Sequence, residues 1–312
     1  MIDPALFDPS AISDEIRAQN ADIVAKLSTL PDPMSVPPAL VRERRRQGLG
    51  PFPLMAPSPR AQTIAIDGPA GPIPLRIIAP DNPRGVYFHI HGGGWTWGTA
   101  DEQDPWLDRL ADRCGLAVVS VEYRLAPENP YPAAPDDCEA AALWVIREAE
   151  SRFGTSRLFI GGESAGAHLS AVTILRLRDR HGLDPFRGAN LLAGCYDLNL
   201  TPSVRLWGSE RLILNTNDVR VFADNFCGSI DRNDPDVSPL FADLKGLPPA
   251  LFSVGTRDML LDDTLFMASR WAAAGNRTEL AVWPGGCHVF IRFESAMAEK
   301  ALSRIDAFVE AL

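Results

Sequence analysis

The sequence lacks closely spaced cysteines, long apolar runs and an excess of positive charge, and each absence removes a class of protein. Its five cysteines, Cys114, Cys138, Cys195, Cys227 and Cys287, are odd in number and form no CxxC pair. Neither a disulfide framework nor a zinc knuckle is indicated. No stretch approaches the roughly 20 apolar residues that span a bilayer. The opening segment carries acids and prolines where a secretory signal is basic and then apolar, so the cytoplasm is the expected address. Thirty Lys and Arg against forty Asp and Glu leave a formal charge of −10. Such a field repels phosphate backbones and anionic lipid, so neither nucleic acid nor a membrane surface is an expected partner. What is there is a chain of 312 residues, 46 % hydrophobic and 22 % charged, which suits a globular protein with a substantial core.

Two regions differ in rhythm. In residues 10–28 Ile12, Ile16, Ile23, Val24 and Leu27 recur at helical spacing. Pro31, Pro33, Pro37 and Pro38 interrupt, and residues 39–47 read as a second helix. Its Arg42-Glu43-Arg44-Arg45-Arg46 run reads as a solvated face, with anion binding as the sharper alternative. This leader, about residues 1–50, reads as an appendage on a larger body spanning 51–312. From residue 61 the pattern changes. Gln62–Ile66 and Ile73–Ala79 read as an antiparallel hairpin. Strands are then expected at Val86–Ile90, Leu116–Val121, Arg157–Gly161, Leu191–Cys195, Ala250–Val254 and Leu280–Trp283. Helices are expected at Ala133–Arg152, Ala165–Arg178, 262–274 and 291–311. Alternating strands and helices predict an α/β fold, a mostly parallel sheet with helices on both faces. Ligands bind such sheets at the carboxyl ends of the strands. The rhythm lapses between Asp197 and Asp234, which reads as an insertion over that edge.

Two glycine-rich motifs carry the chemistry. Gly162-Glu163-Ser164-Ala165-Gly166 fits the nucleophile-elbow pattern G-x-S-x-G, and it lies between an expected strand and an expected helix. Small residues on either side let the flanking elements approach a strained serine. His91-Gly92-Gly93-Gly94 follows another strand, and about 0.002 such runs arise by chance at this composition. Successive glycines let backbone N–H groups turn inward, as an oxyanion hole requires. The segment lacks both G-x-G-x-x-G and the P-loop lysine, so a nucleotide loop does not fit. His89 and His91 find no third ligand at metal spacing, so no metal is expected.

A serine nucleophile needs a base and an acid. Of five histidines, His89 is inside a strand and His91 in the glycine loop, while His168 and His181 follow the elbow on or after its helix. His288 alone follows a late strand and a Gly-rich loop, ahead of the final helix. Asp258 follows the Ala250–Val254 strand at its carboxyl edge, whereas Asp262 and Asp263 suit the first turn of the next helix. The resulting order, Ser164, Asp258, His288, is that of α/β-hydrolase triads.

His91–Gly94, Tyr123-Arg124-Leu125-Ala126-Pro127-Glu128, Gly162–Gly166, Asp258 and His288-Val289-Phe290 together resemble the hormone-sensitive-lipase-like carboxylesterases, the bacterial family IV, over residue 60 to the end. The resemblance implies an α/β-hydrolase fold, with Ser164 as nucleophile, His288 as base and Asp258 as its orienter. It implies oxyanion donors at Gly93, Gly94 and Ala165, and a helical cap made of the first fifty residues and about 198–230. It further implies a small-molecule ester substrate, no cofactor, and a homodimer. Glu163 departs from the family's commoner Asp, and Ala167 from its frequent Gly. Trp95, Trp97, Trp207 and Phe222 are candidate pocket residues, suited to a short acyl or aryl group. The elbow followed by Ala167-His168-Leu169 also resembles aryl formamidases, so an amidase on the same triad is the alternative. A non-catalytic receptor is opposed by the presence of His288.

Overall fold

The computed structural model describes residues 2–312. Eight strands form one sheet: β1 (Gln62–Gly68), β2 (Gly71–Ile78), β3 (Gly85–Ile90), β4 (Leu116–Val121), β5 (Leu158–Glu163), β6 (Phe186–Leu192), β7 (Ala250–Gly255) and β8 (Thr278–Trp283). Their order is β1-β2-β4-β3-β5-β6-β7-β8. β1 and β2 form the expected hairpin, with Ile66 opposite Ile73, and β2 also pairs antiparallel with β4. The remaining pairs are parallel. β3, β4, β5 and β7 are buried at every residue, as parallel strands covered on both faces must be.

The period-2 alternation of strand side chains divides the core between the two faces. Phe88, Val119, Ile160 and Phe252 pack on one side with α4 (Ala133–Phe153), α5 (Ala165–His181) and α8 (Leu261–Ala273). Tyr87, Val118, Phe159 and Leu251 pack on the other with α3 (Asp104–Cys114) and α9 (Ala296–Glu310). α3, α4 and α5 each end at a left-handed glycine, Gly115, Gly154 and Gly182, the conformation that stops a helix without a Cβ penalty.

Two boundaries differ from expectation. β6 starts at Phe186 and ends at Leu192, because Ala193 takes a positive φ of 47° and turns the chain; of the apolar run Leu191–Cys195, Leu191 and Leu192 are strand and the rest is turn and loop. The last helix begins at Ala296 behind a Ser295 cap, after a 3-10 turn at Phe290–Arg292. Asp262 and Asp263 do open α8, but they do more than face a helix dipole. Asp263 accepts from Tyr196 N–H (2.6 Å), Asp197 N–H (3.0 Å) and Thr201 Oγ1 (2.6 Å), and Asp262 from Ser203 N–H (2.8 Å). They tie down the start of the segment that holds α6 (Pro202–Trp207) and α7 (Thr216–Cys227).

The leader forms α1 (Asp14–Ser28), capped by Ser13, and α2 (Pro38–Arg46). α1 reaches the loop after β8, where Asn20 donates to the Gly285 carbonyl. The arginine run on α2 divides: Arg44 and Arg46 are exposed on the expected solvated face, whereas Arg42 and Arg45 are clamps to other elements. Arg42 donates to the Thr96 carbonyl (2.9 Å) and pairs with Glu128, and Arg45 pairs with Glu102 (2.7 Å). Arg211, between α6 and α7, bridges to Asp32 of the leader. Both additions to the sheet therefore meet over the loops at its carboxyl edge. No helix among the described residues is long and apolar enough to cross a membrane.

Candidate active site

β5 ends at Glu163 and α5 begins at Ala165, leaving Ser164 alone in the turn with φ 56° and ψ −123°. Two glycines make that turn possible. A Cβ on Gly162 would lie 2.2 Å from the Ile90 carbonyl oxygen, and one on Gly166 only 1.9 Å from it. β3, β5 and α5 approach so closely here that no larger residue fits. The strain at Ser164 is held by its N–H, which donates to the Leu192 carbonyl (2.9 Å).

His288 Nε2 lies 2.9 Å from Ser164 Oγ, and His288 Nδ1 lies 3.1 and 3.0 Å from the two carboxyl oxygens of Asp258. All three residues are buried. Asp258 comes from the turn after β7, where its Oδ1 also accepts from Leu260 N–H (2.9 Å). His288 comes from the loop after β8. The two loops are drawn together at Gly255, where a Cβ would sit 1.9 Å from the Gly286 carbonyl oxygen. A side chain at Gly255 would wedge the acid from its histidine.

The glycine loop runs beside the elbow. Gly93 and Gly94 have φ of 112° and 59°, in the region that favours glycine. Among the described residues, the N–H groups of Gly93, Gly94 and Ala165 donate to no protein acceptor. Gly92 N–H does: it donates to Glu163 Oε1 (2.7 Å). The Tyr123–Glu128 block braces the loop from below. The Tyr123 hydroxyl donates to the His91 carbonyl (2.9 Å), its ring stacks on His91 at 4.2 Å, and Ala126 N–H donates to the Trp95 carbonyl (2.8 Å).

The four pocket candidates separate. Phe222 of α7 lies against Gly94, where an added Cβ would fall 2.4 Å from its ring, and Trp97 meets Phe222 edge-on at 4.8 Å. Trp95 points elsewhere and is a core residue, not a pocket residue. It is 2 % exposed, stacks on Phe226 at 4.7 Å, and donates its indole N–H to His168 Nδ1 (3.1 Å). Its positive φ of 55° turns it away from the glycines it follows. Trp207 is half-buried beside the Arg257 guanidinium, 5.5 Å from its ring centroid, and donates to the Glu210 carbonyl. The other histidines are engaged or enclosed. His168 donates Nε2–H to the Val237 carbonyl (2.8 Å), and burial lowers its pKa to about 4. His181 pairs with Glu139 at 2.7 Å, a partner its loop setting did not suggest. His91 Nδ1 contacts the Gly92 carbonyl oxygen (2.8 Å), and burial lowers His89 to about 3. Among the described residues no group of three or more His, Cys, Asp or Glu is placed to hold a metal ion.

Sequence reasoning missed Glu163, Gln103 and Asp263 as structural actors. Glu163 stands beside the serine where the family's commoner residue is Asp, and nothing in the linear sequence pairs it with Gly92, 71 positions away.

A mostly parallel sheet with a serine elbow, a late histidine and a late acid meeting at its carboxyl edge defines a hydrolase of the α/β class. Residues 87–292 match the family described as alpha/beta hydrolase fold. Carboxylic ester hydrolase LipN of Mycobacterium tuberculosis is 37 % identical over 242 residues, 73 % of this chain and 63 % of that protein, so the chain spans less than two thirds of LipN's length. Esterase LipI of the same organism is 34 % identical over 282 residues, 86 % of each chain. A hormone-sensitive lipase from a metagenome library superposes with a TM-score of 0.83 at 28 % identity, covering 95 % of this chain and 97 % of that one. The chain belongs to the α/β-hydrolase fold family and, within it, to the hormone-sensitive-lipase-like carboxylesterases.

Proposed function

We propose that the protein is a serine carboxylesterase that hydrolyses short-chain acyl or aryl esters through an acyl-enzyme. The observation that carries the reading is the hydrogen-bonded line from Ser164 Oγ through His288 to Asp258, with three unspent backbone N–H groups beside it. His288 takes the Ser164 proton as Oγ attacks the ester carbonyl. Asp258 holds the imidazole in the tautomer with Nδ1–H and stabilises the imidazolium that forms. Gly93, Gly94 and Ala165 N–H receive the oxyanion, each worth about 3–4 kcal/mol of transition-state stabilisation where removal costs 10²–10³ in rate. His288 returns the proton to the leaving alkoxide. It then activates water, which attacks the acyl-Ser164 carbonyl and releases the acid.

The same proposal assigns α1, α2 and the α6–α7 segment to a cap over the pocket. Phe222 on Gly94, edged by Trp97, supports a compact acyl site and hence short chains. The five thiols are all free and buried, which suits a reducing compartment, and a cytoplasmic address belongs to the same reading. Turnover of p-nitrophenyl butyrate by the wild type and by Ser164→Ala tests the core of it. Loss of at least about 10⁴-fold in kcat is expected in the variant. Equal turnover would remove Ser164 as nucleophile.

A further inference from the structure

One buried carboxyl beside the nucleophile has no part in the triad. Glu163 Oε1 accepts from Gly92 N–H (2.7 Å) and from the Gln103 side-chain amide (3.0 Å). Its Oε2 has no hydrogen-bond partner and lies 3.5 Å from His89 Nε2, and both ring nitrogens of that buried histidine are likewise unpartnered. Gly92 sits hard against this group: a Cβ there would be 2.7 Å from the Glu163 carbonyl oxygen and 3.3 Å from Ser164 Cβ.

The next two residues, Gly93 and Gly94, carry no side chain and occupy positive φ. Glycine has the widest backbone freedom of any residue, so the aim of their N–H groups depends on the bonds around them. The Gly93 carbonyl, which shares a peptide unit with Gly94 N–H, accepts from Thr96 N–H (3.2 Å) and Trp97 N–H (2.8 Å), which leaves the Gly92 end of the loop to be fixed by side chains. Among the described residues, the only side chains that hydrogen-bond to positions 92–94 are His91, on the Gly92 carbonyl, and Glu163, on the Gly92 N–H. One side of the Gly92 peptide is thus held by its own neighbour. The other is held by the residue that precedes the nucleophile, which couples the loop to the elbow.

We propose that Glu163 is a positioning residue of the oxyanion hole, a hydrogen-bond acceptor that fixes the Gly92 peptide and with it the aim of the Gly93 and Gly94 N–H groups. The inference rests on the serine-esterase reading and extends it. What the role needs is an acceptor at Oε1, not a charge. A full negative charge behind these donors would oppose the oxyanion they receive. Burial favours the neutral acid, raising Glu163 to about 7, against the lowering effects of the Gly92 and Gln103 bonds and of Arg292. The groups facing it are His89 from β3, Gln103 from the turn before α3, and Arg292 from the turn after His288, whose guanidinium also pairs with Glu102. For a proton on Oε2 of the neutral acid, the facing acceptor is His89 Nε2, 3.5 Å away and itself unpartnered.

The test compares wild type, Glu163→Gln, Glu163→Ala and Ser164→Ala for kcat and KM with p-nitrophenyl butyrate, and for affinity toward an alkyl trifluoromethyl ketone, whose serine adduct places an oxyanion in the hole. Glu163→Gln keeps an acceptor for Gly92 and is expected within about threefold of wild type in every parameter, whereas Glu163→Ala is expected to lose about 100-fold in kcat and a similar factor in ketone affinity, with KM changed less than about threefold. A purely structural role would instead move KM and melting temperature while leaving the ketone-to-substrate ratio alone. Glu163→Ala within twofold of wild type would overturn the proposal. So would Glu163→Gln falling as far as Glu163→Ala, since charge would then be what counts. Should Glu163→Ala not fold, Gln103→Leu removes the brace on the same carboxyl; about a fivefold lower kcat at unchanged KM is expected, and an unchanged kcat overturns the proposal. Ser164→Ala separates the two ideas: full activity there sinks the esterase reading, while an inactive Ser164→Ala beside an unaffected Glu163→Ala sinks only the positioning role.

Discussion

Two buried carboxyls face histidines in this molecule, Asp258 toward His288 and Glu163 toward His89, and they are held in opposite ways. Asp258 sits on a loop past the end of β7, gives both oxygens to His288 Nδ1 at 3.0–3.1 Å, and leaves Nε2 free to meet Ser164. Glu163 is the last residue of β5 and spends one oxygen on a backbone amide and a glutamine, with His89 at 3.5 Å inside the neighbouring strand. His89 is fully enclosed and held neutral, with its pKa near 3. The residue types match, and the position along the strand decides the role. Past the carboxyl end, a pair can pass a proton to a ligand; within the strands it can only shape the backbone beside it.

The largest effect that would break this comparison comes from one chemical change applied to both carboxyls. Asp258→Asn is expected to lower kcat by about 10⁴-fold, because an amide favours the wrong imidazole tautomer and cannot stabilise the imidazolium. Glu163→Gln, the same change, is expected to cost less than about threefold. Similar kcat values for the two variants would erase the distinction.

A smaller effect concerns Asp263, the third buried carboxyl at this edge, also raised to about 7 by burial against the bonds from Thr201, Asp197 and Tyr196. It touches no member of the triad and holds the α6–α7 segment instead. Asp263→Ala leaves those donors unmatched and is expected to cost about 3 kcal/mol in denaturant unfolding, while activity per folded molecule falls less than tenfold. A wild-type melting curve with lost activity would place Asp263 in the chemistry instead.

The smallest effect is in the pH dependence of stability, where the buried groups oppose one another. Glu163 and Asp263 have folded pKa values raised to about 7, so the native state binds their protons first and stability falls as pH rises from about 4.5 to about 7. His89 and His168 have folded values lowered to about 3 and about 4, so the unfolded state binds their protons first and stability falls as pH drops from about 6.5 toward those values. From these four groups, two opposing pairs nearly cancel between about pH 4.5 and 6.5. In Glu163→Gln one carboxyl is removed, and its melting temperature is expected to decline on acidification from about pH 6.5, ahead of wild type. Parallel curves for the two proteins from pH 7 to 5 would count against a Glu163 carboxyl held neutral by burial.

Much of this was legible in the linear sequence. The elbow glycines, the three consecutive glycines after β3 and the late acid and histidine each follow a strand, and strand ends in a parallel sheet are where separated residues meet. Short apolar runs and helical spacing placed most of the strands and α1, α4, α5 and α8 to within a few residues, while α3 went unseen. β6 misled because Phe186–Leu192 contains Arg187 and Asn190, which dilute the apolar signal, while the more uniform run to Cys195 crosses a turn. Trp95 misled because adjacency to the glycines says nothing about χ angles or a positive φ.

By itself, then, the sequence determined which side chains arrive at the carboxyl edge, since that follows from local pattern and steric limits on glycine and proline. Only the tertiary structure decided what Glu163, Asp263 and the arginines of α2 do there. Their partners lie 60 to 71, 62 to 67 and 54 to 86 residues away, and long-range hydrogen bonding and desolvation leave no periodic trace in the chain.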